Sequence, residues 1–408
     1  MDQRFDVIII GGGMGGLILA WTLGQKGRKV ALVERQADLR PPFRGELLQP
    51  NGIRILDRVG LLDGVRNLPL HKAHRFHFFG IGKGRLCSVD YRVLPEPWNY
   101  ALITTPVQLL PFLLERLKSQ KTVTVLTGTE FKEPVFDGDG VAGALVDGGD
   151  GPTKLLAPML VGSDGAFSRV REGLGIASRV HIYREGYLTM VISRPAGHLD
   201  EARYFVGKSR ILGLFPVSEK ELYLFYMVKG SNLEQIREGR LQGITDAIAG
   251  IEPSLRKPLE EVKSWNQVGF MPCMRVRADT WVNNGAALIG DAAHAMNPHV
   301  AQGRNQAMED AMALAGTLES CFEKGEFSAS NLREYETGRR RVVEQLQKTG
   351  DELTLLWNAG FPLLTWLRDR IFRGMDRHPG IRTKVVRMIS GTDIQPLPLW
   401  DRIRVLIP

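Results

Sequence analysis

The chain has 408 residues, with 53 Lys and Arg against 45 Asp and Glu, a formal charge of +8, and 43% hydrophobic residues. These are the proportions of an ordinary globular protein, and they exclude a disordered tail, a collagen-like repeat and a small disulfide scaffold. Cys87, Cys273 and Cys321 form no C-x-x-C pair, which argues against a zinc ribbon or a redox dithiol and for free buried thiols in a reducing, cytoplasmic setting.

Residues 4–35 read RFDVIIIGGGMGGLILAWTLGQKGRKVALVER. No residue from Val7 to Gly24 is charged, but six glycines interrupt the run and no cleavage site follows, so it reads as soluble structure rather than a membrane span. Val7–Ile10 predicts a buried parallel strand, Leu17, Ala20, Trp21 and Leu23 a helix, and Lys29–Val33 a second strand, together a βαβ unit. Leu47–Asp63 and Pro106–Lys118 read as helices, and Ala73–Tyr91 as a hairpin turning at Gly80–Gly84. Val123–Leu126, Gly143–Val146 and Leu156–Val161 read as strands.

From 180 to 270 strands dominate (Tyr187–Ile192, Ile211–Pro216, Leu222–Val228), with one helical patch at Asn232–Ile251. Ala286–Ile289 is then a buried strand, a helix runs from about Gly303 to Cys321, and the remainder is largely helical. The order implies an α/β fold in which a Rossmann-like domain is interleaved with a mostly antiparallel β-sheet domain, followed by a helical C-terminal extension. No aromatic–basic module for nucleic acid occurs, and none is expected as a partner.

Three motifs carry chemistry. Gly11-Gly12-Gly13-Met14-Gly15-Gly16 satisfies G-x-G-x-x-G between a strand and a helix. Gly11 permits the tight turn, Gly13 the approach of a diphosphate and Gly16 the close packing of helix on strand. The helix start offers N–H groups to phosphate. Glu34, 18 residues past Gly16, is placed to accept hydrogen bonds from a ribose. Gly138–Gly143 also satisfies the pattern, but it lies between two strand-like runs and reads as a hairpin turn. The second motif is Asp164-Gly165-Ala166-Phe167-Ser168-Arg169-Val170-Arg171, after a strand; the third is Gly290-Asp291, six residues, then Pro298, with Gly303-Arg304-Asn305 opening a helix. Taken singly, Asp164 and Asp291 also suit helix N-caps.

The trio, in this order, resembles the single-component flavoprotein monooxygenases of the para-hydroxybenzoate hydroxylase type, over about residues 1–345. The resemblance implies bound FAD, with NADPH or NADH as reductant and O2 as co-substrate. It assigns 1–72, 98–178 and 280–345 to a discontinuous FAD-binding domain, 73–97 and 179–279 to a substrate domain, and 346–408 to a C-terminal helical segment. It implies cofactor contacts at Gly11, Gly13, Met14, Gly15, Gly16, Glu34, Arg35, Arg44, Gln108, Phe131, Asp164, Asp291, Gly303, Arg304 and Asn305. Asp291 would meet the ribityl chain, Arg44 the diphosphate, and the helix start at Gly303 the flavin N1–C2=O edge. No metal is implied.

Two departures stand out. Ala301-Gln302-Gly303 replaces the frequent Gly-Gln-Gly, and Gln108 stands where the family tends to carry an arginine.

The implied reaction is hydroxylation or epoxidation of an electron-rich aromatic or quinone/quinolone-like substrate through a flavin C4a-hydroperoxide. No side-chain nucleophile is needed, and no catalytic residue is assigned. His294 reads as structural. Tyr204, Tyr223 and Tyr226 lie on the β-rich block, where packing is the plainer role and any could face a pocket. Residues 353–387 combine Trp357, Phe361 and Trp366 with a basic run. They read either as helices packed on the body or as an interfacial contact with an anionic membrane.

Competing activities are a flavin-dependent halogenase, disfavoured because no two tryptophans lie two residues apart, a geranylgeranyl-type prenyl reductase, and a non-enzymatic flavin carrier.

Overall fold

The computed structural model describes residues 3–39, 46–198, 200–230 and 233–407. Its first layer is a six-stranded sheet in the order Val282–Asn283, Ala286–Leu288, Leu160–Gly162, Val7–Ile10, Val30–Glu34, Val123–Thr127, parallel except at the Val282–Asn283 edge. Val7 to Ile10 are all buried, as a strand covered on both faces requires. Helix Met14–Gln25 packs between this sheet and the long helix Gly303–Lys324. That explains why its apolar residues are not confined to one face.

A seven-stranded sheet forms the second layer, in the order Gly269–Ala278, Ser178–Ser193, Glu221–Lys229, Arg210–Pro216, Ala202–Gly207, Arg75–Gly80, Gly84–Asp90. All its pairings are antiparallel except that of Ala202–Gly207 with Arg75–Gly80. The chain thus leaves the first layer for the hairpin Arg75–Asp90, returns, and leaves again for 178–278, which is the interleaving that the order of elements implies. Smaller sheets of four and three strands flank these two layers. Helices Ala329–Trp357, Pro362–Arg377 and Pro379–Ile389 close the C-terminal side.

Several elements differ from the sequence reading. The run Leu156–Val161 is two strands in two sheets, Pro152–Leu156 and Leu160–Gly162. Pro158 between them has no N–H to give a ladder. The helix read from Leu47 begins at Pro50 and ends at Arg58, with a short helix Leu62–Arg66 after it. Leu47 belongs to strand Glu46–Leu48, and Gln49, the residue just before Pro50, is extended, as a following proline favours. The patch read at Asn232–Ile251 is two helices, Leu233–Arg237 and Leu241–Ile251, and Asn232 lies outside the described residues. Gly138–Gly143 does turn a hairpin, with Asp137 opposite Gly140.

The three cysteines are free and buried. Among the described residues no helix is long and apolar enough to cross a membrane, and no cluster of His, Cys, Asp and Glu could hold a metal ion.

Candidate active site

The loops that follow Ile10, Glu34, Gly162 and Leu288 leave the same edge of the parallel sheet, with Val7–Ile10 between strands of two different connections. Ligands of open α/β sheets settle at such a crossing. The glycine turn is built for close approach. Gly11 has φ +109°, and a Cβ there would stand 2.3 Å from the Ser163 carbonyl oxygen. A Cβ on Gly16 would stand 2.1 Å from the carbonyl oxygen of Gly11, whereas one on Gly13 would meet nothing within 4 Å. The turn is closed toward the protein and open toward a cavity.

Glu34 ends its strand beneath the turn. Its Oε2 accepts from the Gly12 N–H at 2.7 Å and its Oε1 from the Gln36 N–H at 2.8 Å. Asp164 is turned inward: it accepts from the Ser168 hydroxyl at 2.5 Å and the Val170 N–H at 3.1 Å, capping helix Arg169–Gly173. Burial pushes its carboxyl up, against the hydrogen bonds that favour the charged form. Arg171, from the same motif, reaches the third corner, donating at 2.6 Å to the Ala292 carbonyl and at 3.0 Å to that of Ala166.

The third corner has its own buried frame. Asp310 lies 2.6 Å from His294 Nε2 and accepts from the Gly290 N–H at 2.9 Å and from Arg339 Nε at 2.8 Å. Burial pushes the Asp310 carboxyl up, but His294 and Arg339 outweigh it and hold it at about 2. His294 also packs on Trp281, with ring centroids 4.6 Å apart, and it does not line the cavity.

That cavity has a volume of about 470 Å³. Of the anticipated cofactor residues, Gly13, Met14, Gly15, Asp291, Gly303 and Arg304 line it. Gly11, Gly16 and Glu34 stand behind the turn. Gln108 is half-buried, its Oε1 enclosed without a hydrogen-bond partner among the described residues. Phe131 is in the core, 4% exposed, and Arg35 points to solvent. The Asn305 side chain is spent on structure, accepting from the Gln49 N–H at 3.0 Å and donating to the Ala301 carbonyl at 3.2 Å. Arg44 lies outside the described residues.

The starts of Met14–Gln25 and Gly303–Lys324 both border the cavity. Helix starts leave N–H groups unpaired and carry partial positive charge, so two at one cavity suit an anionic nucleotide. Together with the open face at Gly13, this arrangement fits FAD.

A family model described as "FAD binding domain" matches residues 4–349. The chain belongs to this FAD-binding family. A curated relative, 6-methylpretetramide 4-monooxygenase of Streptomyces rimosus, is 30% identical over 95% of this chain and 92% of its own. The 2-heptyl-3-hydroxy-4(1H)-quinolone synthase of Mycobacteroides abscessus is 26% identical over 85% of this chain and 89% of its own. Among solved structures, p-nitrophenol 4-monooxygenase PnpA of Pseudomonas putida DLL-E4 superposes with a TM-score of 0.80 at 21% identity, covering 100% of this chain and 99% of that one. The protein is an FAD-dependent monooxygenase.

Across the cavity from the flavoprotein loops stands an aromatic wall. Tyr187, Tyr204, Phe215, Tyr223 and Phe225 line it from the seven-stranded sheet. Tyr226 faces the opposite side, because neighbouring strand residues alternate faces. Sequence reasoning missed Tyr187, Phe215 and Phe225; only Phe225 carried a signal, its parity with Tyr223 on one strand.

It also missed His299, just after Pro298. Asn297 Oδ1, an acceptor, contacts His299 Nδ1. Nε2 lies 3.2 Å from the Tyr187 hydroxyl and 3.1 Å from Asn358 Oδ1, itself an acceptor. Burial pushes the imidazole down to about 4, with the Asn358 contact opposing, so it is neutral at pH 7.

Between these features Ala301 is left-handed at φ +50°, a conformation a residue with a Cβ rarely adopts. Gln302 is fully buried and donates at 2.7 Å to the carbonyl of Ile389 in the C-terminal helices. The Asn51 N–H donates to the Ser390 carbonyl at 3.2 Å.

Proposed function

We propose that the protein oxygenates an electron-rich aromatic or quinolone-like ring held between the flavin-facing loops and the tyrosine–phenylalanine wall. The observation that carries this reading is one cavity with two helix starts on one side and five aromatic rings on the other. Aromatic walls favour planar guests by stacked or edge-on contact. The relatives' names, for 6-methylpretetramide and a quinolone, support a cyclic substrate.

In this reading FAD, reduced by NAD(P)H, supplies the oxygen-activating chemistry. Gly11 to Gly16 hold its diphosphate, and Glu34 its ribose through the lone pairs that Gly12 and Gln36 leave. Asp291 meets the polyol chain. The N–H groups at Gly303, Arg304 and Asn305 stabilise negative charge at the ring. Asp164 and Arg171 support these corners from behind. Tyr187 and His299, which meet at 3.2 Å on the cavity wall, are the polar pair that would hydrogen-bond a hydroxyl on the substrate. The apolar wall excludes water. The division of labour follows the sheets, with cofactor on the parallel one and substrate on the seven-stranded one.

Contact with an anionic membrane is a further element of the proposal. It is supported by Phe361, Leu363 and Trp366, which stand exposed at the start of helix Pro362–Arg377. Co-flotation with anionic vesicles tests it, and no co-flotation removes it.

The central reading is tested with reconstituted protein and a panel of phenols and quinolones. Expected are yellow flavin absorbance and NAD(P)H oxidation that is stimulated by substrate and coupled to oxygen uptake. Colourless protein, or reductant consumption without oxygen uptake, overturns it.

A further inference from the structure

We propose that the ring substrate carries a long apolar arm, and that the arm lies in a second chamber beneath the C-terminal helices. The proposal rests on the reading of the larger cavity as the ring site. A neighbouring cavity of about 290 Å³ shares Leu47, Tyr204, His299, Ala301 and Trp357 with it. Tyr204 and Trp357 form the partition, edge to face with centroids 5.6 Å apart, so a guest in one space abuts the other. His299 lines both, which puts its imidazole where ring and arm would join.

The chamber wall selects for hydrocarbon. Phe76, Phe78, Ile371, Phe372, Met375 and Val385 face it. Its inner polar groups are already engaged. Arg368, 2% exposed, donates to the Gly207 carbonyl at 2.7 Å and to the Asp369 carboxylate at 2.9 Å, and the Tyr91 hydroxyl donates to Gln49 at 2.8 Å. A polar guest would lose water and find no partner there, whereas each methylene gains about fourfold in affinity. The volume corresponds to roughly ten water volumes, room for an arm of about eight carbons. Glu352 and Arg402, both half-exposed and 3.4 Å apart, mark the solvent edge. The substrate class is therefore a phenolic or quinolone-like ring bearing an alkyl or prenyl-like arm, rather than a compact ring acid.

The test uses the FAD-loaded protein and a series of 4-n-alkylphenols from methyl to decyl. Binding is read without reductant from the perturbation of the flavin spectrum. The expected result is a Kd that falls about threefold to fourfold per methylene and levels off near eight carbons. Val385→Trp, which fills the chamber, should bring the methyl and octyl Kd values within about threefold of each other. Met375→Ala, which enlarges it, should move the plateau to longer arms, and it serves if the tryptophan variant does not fold. A flat Kd series in a protein that binds 4-methylphenol overturns the arm chamber alone, as does a steep series unchanged in both variants. If no phenol of any length perturbs the flavin or stimulates NAD(P)H oxidation, the ring-site reading fails and the proposal falls with it.

Discussion

The Arg171 guanidinium joins two motifs across 121 residues of chain, donating to the Ala292 carbonyl at 2.6 Å from within the Asp164 corner. It is 7% exposed. Its removal leaves two carbonyls without a donor and frees the Asp291 loop. Arg171→Ala should cost about 2–4 kcal/mol in chemical denaturation and lower FAD retention on gel filtration. Arg171→Lys should recover little, because an ammonium cannot span both carbonyls as the planar fork does.

Asp310 makes a pH-dependent contribution. Its carboxyl is held at about 2 in the folded state, below its ordinary value of 3.8. The stability it confers is therefore complete above about pH 4 and is lost as pH falls toward 2. Asp310→Asn should destabilise the protein by about 3–5 kcal/mol at neutral pH, since it breaks a buried ion network on one side. It should also flatten the acid limb of the Tm–pH curve.

His299 shifts in the same direction through a different window. Its folded value near 4 lies below the ordinary 6.5, so the unfolded chain takes up the proton first as pH drops. Stability present above pH 6.5 is lost progressively toward pH 4. His299→Asn should show a smaller fall in Tm between pH 7 and 4.5 than the native protein. It should also lower kcat for phenols more than it changes FAD content.

The glycine turn, the aspartate corners and the α/β layering were legible because each is local: a short apolar run, a helix pattern, a glycine at a fixed offset. The aromatic wall was only half legible. Tyr204 and Tyr223 stood out as strand aromatics, but which of Tyr223 and Tyr226 meets the cavity depends on strand register, which one sequence does not print. His299 was hidden for another reason. Its neighbours Tyr187 and Asn358 come from 112 residues before it and 59 after it. Leu156–Val161 reads as one strand because its apolar residues are nearly continuous, whereas Pro158 divides it between two sheets.

Ala301 departs from the family's frequent glycine, and the backbone adds a cost to it. At φ +50° the methyl is strained, so Ala301→Gly should stabilise the protein by up to about 1 kcal/mol, offset in part by the glycine's freedom when unfolded. A loss of stability would mean that the methyl packs better than it strains.

Gln108 gives a direct test of cofactor affinity. Its enclosed Oε1 lacks a partner among the described residues, at the start of helix Pro106–Lys118. Gln108→Arg should slow FAD loss during dialysis by supplying a cation for the diphosphate. Unchanged retention would place the diphosphate elsewhere.

The bond from Gln302 to Ile389 changes where this enzyme can be cut. The family match ends at residue 349, yet the strut holding the start of helix Gly303–Lys324 is anchored forty residues later. A truncation at the core boundary would strand the buried amides of Gln302 and Asn51. Trimming the tail therefore amounts to surgery on the wall of the large cavity, and a transplanted oxygenase core must bring its own C-terminal keystone.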